Sequence, residues 1–156
     1  MEERVVILLL AVAALFSVVS LASYLPSSSK SQWHFTVGGK TYAATYAETN
    51  QAGWERGLMN QTNISNGTFA LFVFNRHSIW PFWMKNTYVP LDIIWINNSK
   101  VVYVANAVPC IQYDKNQSDC TLYVPTNASN YAIEARSGFA AMNNITIGSE
   151  ISIGKN

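Results

Sequence analysis

One stretch decides how the chain folds: residues 80–96 read WPFWMKNTYVPLDIIWI. It contains three of the five tryptophans and two of the five prolines, and Lys85, Asn86 and Asp92 stand as single polar groups in an otherwise apolar run. Burying a charge costs several kcal/mol unless a partner compensates it. We therefore expect these polar groups either to have partners inside the fold or to lie at the mouth of a site.

Apolar strands flank and follow this stretch. Residues 69–74 (FALFVF) are apolar on both faces and predict a buried central strand. Residues 91–96 and 100–107 predict two paired strands, whereas residues 80–89 are expected to be irregular because proline cannot donate to a strand ladder. Alternation along residues 91–96 places Asp92 on the same face as two isoleucines and opposite the tryptophan.

The rest of the chain predicts more short strands and brief helices. Thr49 or Asn50 can cap a short helix that contains Arg56, and Ser137 can cap one or two turns over residues 138–143. Further strands are expected at residues 33–37, 40–47, 121–124 and 130–135 and at the end of 145–153, with turns at 38–39 and 75–79. This pattern predicts a mainly β domain, a compact antiparallel sandwich or barrel with one or two short helices.

The beginning of the chain differs from the rest. Residues 5–25 carry no charge and, as a helix, would span about 30 Å, the apolar thickness of a bilayer. We expect residues 1–4 as a short cytoplasmic end, 5–25 as a transmembrane anchor, 26–31 as a tether and 32–156 as a β-rich extracytoplasmic domain. A cleaved signal peptide is the alternative for the apolar segment, because Ser20-Leu21-Ala22 fits a cleavage site.

Asparagine usage favours export. Chance placement of this composition would give roughly two Asn-x-Ser/Thr triplets. The chain has seven, which indicates a glycan-bearing outer surface unless composition alone produced them. The candidate glycosylation sites are Asn60, Asn63, Asn66, Asn97, Asn116, Asn127 and Asn144.

The two cysteines, Cys110 and Cys120, fit the same compartment. Outside the cell they would close a short loop with a disulfide that contributes about 3 kcal/mol; two free thiols in a reducing compartment are the alternative. Their spacing fits no zinc pattern, and the two histidines provide no clustered ligand set, so no metal or cofactor is expected. With a net charge of +1 and no basic run, the sequence has no nucleic-acid footprint.

Several motifs together resemble a known family. They are Arg56-Gly57-Leu58-Met59, Phe72-Val73-Phe74, residues 81–93 (PFWMKNTYVPLDI), Pro109-Cys110 with Cys120 and Tyr123, Ala132-Ile133-Glu134 with Gly138-Phe139, and Gly148. Over about residues 34–153 the chain resembles domain of unknown function 192, whose members are small, often exported or lipid-anchored domains of bacteria and archaea. The resemblance implies a mainly β sandwich and no particular activity. Combined with the sequons and the anchor, it suggests an archaeal cell surface.

Three functions are compatible with these residues. The first is a binding module for a carbohydrate or envelope component, in which aromatic faces stack on a ligand and a few polar groups orient it. The alternative for each aromatic residue is a place in the core. The aromatic platform would comprise Trp80, Phe82, Trp83, Tyr88 and Trp95, and the candidate ligand-binding residues are Arg56, Phe82, Trp83, Lys85, Asn86, Asp92 and Glu134.

The second function is a structural or protein-docking domain of the cell envelope. The third is a glycan hydrolase that uses Asp92 and Glu134 as paired carboxylates, which must lie about 5 to 9 Å apart. Its alternative is that Arg56 or Lys85 only neutralises Asp92 in a structural ion pair. No residue is assigned as catalytic. We rank binding first, docking second and hydrolysis third. We expect a single-pass membrane protein whose domain faces outside.

Overall fold

The structure, a computed structural model, describes residues 32–110 and 120–156. The anchor and tether expected before residue 32, and the sequon at Asn116, lie outside the described residues. The elements along the described residues are β1 (Trp33–Val37), β2 (Lys40–Ala43), β3 (Tyr46–Glu48), α1 (Gln51–Arg56), β4 (Phe69–Ser78), β5 (Phe82–Trp83), β6 (Leu91–Asn97), β7 (Lys100–Ala107), β8 (Leu122–Tyr123), β9 (Ser129–Arg136), α2 (Phe139–Met142) and β10 (Ile151–Lys155).

These strands form three sheets. The largest has the order β3-β4-β9-β6-β7, a second has the order β10-β1-β2, and β5 pairs with β8. A β-bridge between Lys100 and Glu150 joins the start of β7 to the segment before β10 and so links the two larger sheets. The prediction of a mainly β domain with short helices is confirmed, and within residues 32–110 and 120–156 the sheets do not close into a barrel. Nearly all pairs are antiparallel, the exception being the parallel pair of β3 and β4.

The five-stranded sheet is covered on both faces, so β6 is buried from Leu91 to Ile96. On one face Ile94 and Ile96 pack with residues of β1, β10 and α2. On the other face Trp95 packs with β6 residues Leu91 and Ile93 and with aromatic residues of β4 and β5. Each fully buried side chain of this size contributes roughly 1.5–3 kcal/mol. The two faces are those that alternation along residues 91–96 predicted.

The predicted strand over residues 40–47 is instead two strands in two sheets. β2 stays in the hairpin with β1, whereas β3 pairs with β4. Thr45, between them, holds the chain to Phe69: its N–H donates to the Phe69 carbonyl at 2.9 Å, and its hydroxyl oxygen accepts from the Phe69 N–H at 3.1 Å. These two hydrogen bonds fix the point at which the chain passes from the three-stranded sheet to the five-stranded sheet.

Three other local predictions were wrong. Phe82 and Trp83, within the segment expected to be irregular, form β5 and pair with β8. β4 continues to Ser78, where a turn was expected, because Ser78 resumes pairing with Ser129 beyond an irregularity that begins at Val73. Ser137 does not cap α2; the residue before the helix is Gly138, in the left-handed region at φ 94°, and it makes no side-chain cap. By contrast, the predicted cap of α1 is confirmed at Asn50, whose side-chain oxygen accepts from Gly53 N–H at 3.1 Å.

The disulfide prediction is confirmed, because Cys110 and Cys120 are bonded and their Cα atoms lie 5.5 Å apart. Of the described sequons, Asn97 is half-buried and its Oδ1 is buried without a hydrogen-bond partner among the described residues. The others are exposed, namely Asn60, Asn63, Asn66, Asn127 and Asn144. Glycosylation itself stays a prediction. Neither helix in the described part of the chain is long and apolar enough to cross a membrane.

Candidate functional site

The short helix α1 brings one ion pair and one tryptophan to the edge of the five-stranded sheet. Arg56, in its last turn, places Nη2 at 3.1 and 3.0 Å from the two carboxylate oxygens of Glu48, which is buried at the end of β3. Trp54 donates its indole N–H to the carbonyls of Glu48 (2.9 Å) and Val73 (3.2 Å). The helix and its tryptophan are therefore fixed against β3 and β4.

A continuous row of aromatic rings extends from this helix into the core. The ring of Trp80 stacks on Phe74 at a centroid distance of 4.4 Å and lies 5.5 Å from the ring of Trp54. Phe82 packs edge-on against Trp95 at 5.3 Å. The Trp95 indole N–H donates to the Trp80 carbonyl at 2.8 Å, which ties the proline-containing segment to β6. Such ring pairs add about 0.5–1.5 kcal/mol each beyond simple burial.

These rings enclose a cavity of about 210 Å³ that is open to solvent on one side. Its walls combine aromatic rings with a few polar groups. Four of the candidate ligand-binding residues come together there: Arg56, Phe82, Trp83 and Glu134. The described residues that line it are Trp54, Glu55, Arg56, Gly57, Phe74, Trp80, Pro81, Phe82, Trp83, Thr87, Leu122 and Glu134.

Glu134 is the buried ionisable group of this cavity. It lies on β9 with 6% of its surface exposed, and its Oε2 accepts a hydrogen bond of 2.9 Å from the Leu58 N–H. Burial raises the pKa of Glu134 to about 7; the Leu58 hydrogen bond opposes this rise, and the charge of Glu48 adds to it. Near neutral pH the carboxyl group is therefore present in both protonation states, and it can accept or donate a hydrogen bond.

Gly57 makes the position of Glu134 possible. Its φ is 47°, in the left-handed region, and a Cβ atom there would lie 2.5 Å from Glu134 Oε2 and 2.8 Å from Phe72 Cζ. Only glycine combines this backbone angle with so close an approach. The Arg56-Gly57-Leu58 segment therefore places an arginine at the mouth, a glycine against the carboxylate and a backbone donor on one of its oxygens.

Two predicted ligand-binding residues lie outside the cavity. Lys85 places its ammonium group 5.0 Å from the centroid of the Trp83 ring, in a cation–π contact. Asn86 is a turn residue with φ 51°; its carbonyl accepts from the Asn60 N–H at 2.7 Å and its side-chain amide contacts the sulfur of Met59. Both residues shape the segment that carries Trp83, and neither lines the cavity.

Asp92 faces away from the cavity, and its pairing with Glu134 was a wrong prediction. Glu134 is in register with Ile93 on β6, so Asp92, one residue earlier, points to the opposite face of the sheet. There it is buried and accepts from Asn106 Nδ2 at 2.9 Å and from the Ala140 N–H at 2.8 Å. Asp92 thus holds α2, and neither Arg56 nor Lys85 neutralises it.

The other predicted aromatic residues divide between core and surface. Trp95 is fully buried and Tyr88 is 54% exposed, and neither lines the cavity. Trp80 does, although its indole N–H is buried without a partner among the described residues. Trp54 and Glu48 were not predicted as site residues. A signal was present in Trp54, which stands four residues after the capping Asn50 and hence one turn into the helix that was expected to contain Arg56.

Two solved structures are similar to this chain. One is a protein of unknown function from Novosphingobium aromaticivorans, with 27% identity, a TM-score of 0.63, and coverage of 77% of this chain and 82% of that one. The other is a putative transcription regulator from Sinorhizobium meliloti, with 22% identity, a TM-score of 0.63, and coverage of 77% and 90%. At this identity the second likeness shows the fold alone.

A comparison with curated proteins found no match. The family comparison did, and it confirms the resemblance inferred from the motifs. The sequence pattern of DUF192, described as "Uncharacterized ACR", matches residues 33–153. This range includes the five-stranded sheet, α1, the aromatic row and the cavity, and all of the second sheet except the end of β10. The chain therefore belongs to the DUF192 family, a family of unknown function.

Proposed function

We propose that the domain is a binding module that captures one ring-sized unit of a cell-envelope carbohydrate in the aromatic cavity. The observation that carries this proposal is the composition of the walls: Trp54, Trp80 and Trp83 beside the carboxyl group of Glu134 and the hydroxyl group of Thr87. Sugars are held in this way, because their apolar faces stack on aromatic rings while their hydroxyl groups exchange hydrogen bonds with a few fixed polar groups.

The size of the cavity limits the ligand. Its volume of about 210 Å³ lies below the ~300–1,000 Å³ of pockets that enclose drug-sized molecules. It therefore suits a single ring at the end of, or projecting from, a longer chain. Trp83 is 41% exposed at the opening, so it can stack on a ligand ring without first moving. The preformed walls favour binding because little conformational freedom remains to be lost.

The compartment is part of the proposal. We place the domain outside the cell, tethered by residues 5–25, where envelope carbohydrate is available. The disulfide between Cys110 and Cys120 supports this location, because such bonds persist in oxidising compartments. The exposure of most described sequons supports it as well, since glycans need accessible asparagines.

A titration of the full chain tests the proposal. The protein is kept in a detergent whose head group is neither a sugar nor charged, and oligosaccharides released from envelopes are added while tryptophan fluorescence is followed. We expect a saturable change, because three tryptophans line the cavity. Release of reducing sugar from the same oligosaccharides is monitored in parallel to separate binding from cleavage. Absence of any saturable change across the set would refute carbohydrate binding.

Trp83→Ala is the decisive variant. Loss of one stacking ring costs about 1–2 kcal/mol, so binding should weaken about five- to thirtyfold. The melting temperature should change little, because the side chain is half-exposed. The matched control is Tyr88→Ala, which removes an exposed aromatic residue outside the cavity and should leave affinity unchanged. Equal losses of affinity in the two variants, or parallel losses of affinity and melting temperature in Trp83→Ala, would contradict the assignment.

One observation favours protein docking as a second candidate. Trp83 and Leu122 lie opposite each other on the ribbon of β5 and β8, and they are 41% and 57% exposed. Val124, just beyond β8, is 48% exposed but does not line the cavity. Exposed apolar side chains in such proximity are typical of contact surfaces. Val124→Ser therefore separates the two functions: it should weaken capture of an envelope protein and leave carbohydrate titrations unchanged.

A further inference from the structure

The cavity contains a buried acid without a cationic partner. Among the described residues two ion pairs form, Arg56 with Glu48 and Lys100 with Glu150, and neither includes Glu134. The hydrogen bond from Leu58 N–H occupies Oε2, and no described residue donates to Oε1. The cost of burying a carboxylate without an opposite charge is offset either when it takes up a proton or when a cation binds beside it.

The charges near the opening do not favour an anion. Glu48 and Glu55 contribute negative charge from β3 and α1, and the one cation of the cavity lining, Arg56, already bonds both oxygens of Glu48. The neighbours of Glu134 in register on the two adjacent strands are apolar, namely Ala70 and Ile93. With Glu134 ionised, Glu48, Glu55 and Glu134 carry three negative charges, and these offset Arg56 in the lining together with Arg76 and Lys85, which lie against two of its rings.

The aromatic rings of this region also attract cations. The guanidinium group of Arg76 lies 5.5 Å from the centroid of Trp80, and the ammonium group of Lys85 lies 5.0 Å from that of Trp83. The negative faces of aromatic rings produce this attraction, and they hold ligand ammonium groups in aromatic cages. Two rings of the cavity wall are thus already used in this way by the protein itself.

Two polar groups of the cavity are available to accept hydrogen bonds, namely Glu134 Oε1 and the Thr87 hydroxyl oxygen. The Trp54 indole N–H is used by two carbonyls, whereas that of Trp80 is buried without a partner among the described residues. The Thr87 hydroxyl donates to the Lys85 carbonyl at 3.3 Å, which leaves its oxygen free to accept. A primary ammonium group offers three donors and no acceptor, and it complements this lining.

We propose that the ligand group which enters the cavity is a primary ammonium group, ion-paired with Glu134 and held against the rings of Trp54 and Trp83; Trp80 supports this wall, since Phe74 and Arg76 cover its own faces. This inference rests on the proposed function, since it names the group of the same ligand that the cavity recognises. An amino sugar should bind more tightly than a neutral sugar of the same shape. The ammonium group supplies the charge that the buried carboxylate lacks. A free alkyl amine has the same chemistry without the ring.

The test compares glucosamine with glucose and N-acetylglucosamine, which lack the charge, and with cadaverine, which lacks the ring. Each is titrated into the full chain at pH 7 by calorimetry. We expect glucosamine to bind at least tenfold more tightly than either neutral sugar. Binding should also release about half a proton, because a carboxyl group with a pKa of about 7 is half protonated at this pH and ionises when the amine pairs with it.

Glu134→Gln identifies the partner of the amine. The amide oxygen can still accept from Leu58 N–H, whereas the charge is lost, so the preference for glucosamine should fall to less than twofold. Glu150→Gln is the matched control, because it removes a carboxylate that is ion-paired with Lys100 at 3.3 Å, away from the cavity lining. That variant should keep the full preference and the proton release.

The outcomes distinguish this inference from the proposed function. Equal binding of glucose and glucosamine would uphold carbohydrate capture and overturn the ammonium assignment. Binding of cadaverine with no binding of any sugar would uphold the ammonium assignment and overturn carbohydrate capture. A preference for glucosamine that survives in Glu134→Gln would overturn the ion pair. Binding of none of the four compounds would overturn the ammonium assignment and leave carbohydrate capture to be decided by the oligosaccharide titration.

Discussion

Replacing Glu134 with glutamine should stabilise the domain at neutral and alkaline pH. In the folded state burial raises the pKa of this carboxyl group from its ordinary 4.5 to about 7. Because the folded state then binds more protons than the unfolded state between these values, stability falls as the pH rises from about 4.5 through 7. A difference of this size in pKa corresponds to about 3 kcal/mol once Glu134 is ionised. Glutamine has no such cost.

The predicted signature is a difference that depends on pH. Glu134→Gln and the original chain should have similar unfolding free energies near pH 4, where both folded and unfolded carboxyl groups are protonated. The variant should become more stable by about 3 kcal/mol by pH 8, which for a domain of this size corresponds to a rise in melting temperature of roughly 10 °C. Contributions of the other carboxylates are common to both proteins and cancel in the comparison.

The assay is urea unfolding at several pH values between 4 and 8, followed by tryptophan fluorescence. Glu150→Gln serves as the control, because it removes an exposed partner of Lys100 and should change stability by less than about 1 kcal/mol at every pH. A Glu134→Gln variant that is less stable than the original chain at pH 8, or whose difference is constant with pH, would refute the reasoning. A stable variant that loses the ammonium preference would show that Glu134 is kept for binding at the expense of stability.

Gly57→Ala should destabilise the domain by about 2–4 kcal/mol, because the new Cβ would meet Glu134 Oε2 at 2.5 Å in a strained backbone conformation. Gly39→Ala is the control in urea unfolding, because Gly39 also has a positive φ but nothing lies within 4 Å of the added Cβ. The control should lose about 1 kcal/mol of unfolding free energy. Equal losses in the two variants would contradict the close approach at Gly57. Asp92→Asn should lower the unfolding free energy by about 1–3 kcal/mol, because the new amide NH2 group would face one of the two N–H groups that now donate to the carboxylate. Ligand affinity should be unchanged in this variant, since Asp92 lies on the far face of the sheet, and a loss measured by calorimetry would contradict that placement.

Local patterns were sufficient for much of the fold. Alternation from Leu91 to Ile96 correctly divided this strand between two cores, because adjacent side chains in a strand point to opposite faces. Gly38-Gly39 fixed a hairpin, and Asn50 fixed the start of α1, since both depend on the chemistry of a few neighbouring residues. In each case the signal and the structure lie within the same short segment.

The site depended on information that no short segment contains. Asp92 and Glu134 seemed a suitable pair because both are single acids in apolar strands, but which face Glu134 occupies depends on the register of β9 with β6. The partner of Arg56 is Glu48, eight residues earlier at the end of β3, and the turn of the chain through α1 brings the two side chains together. The four candidate residues that line the cavity were therefore chosen by residue type, and the pairing of distant strands brings them together.

A crystal structure of the chain with glucosamine present tests the central claim most directly. The account predicts electron density for one sugar ring beside Trp83, with its ammonium group within about 3 Å of a Glu134 oxygen, as charge-assisted hydrogen bonds require. A sugar bound at any other surface, or an empty cavity at a saturating concentration of the ligand, would contradict it.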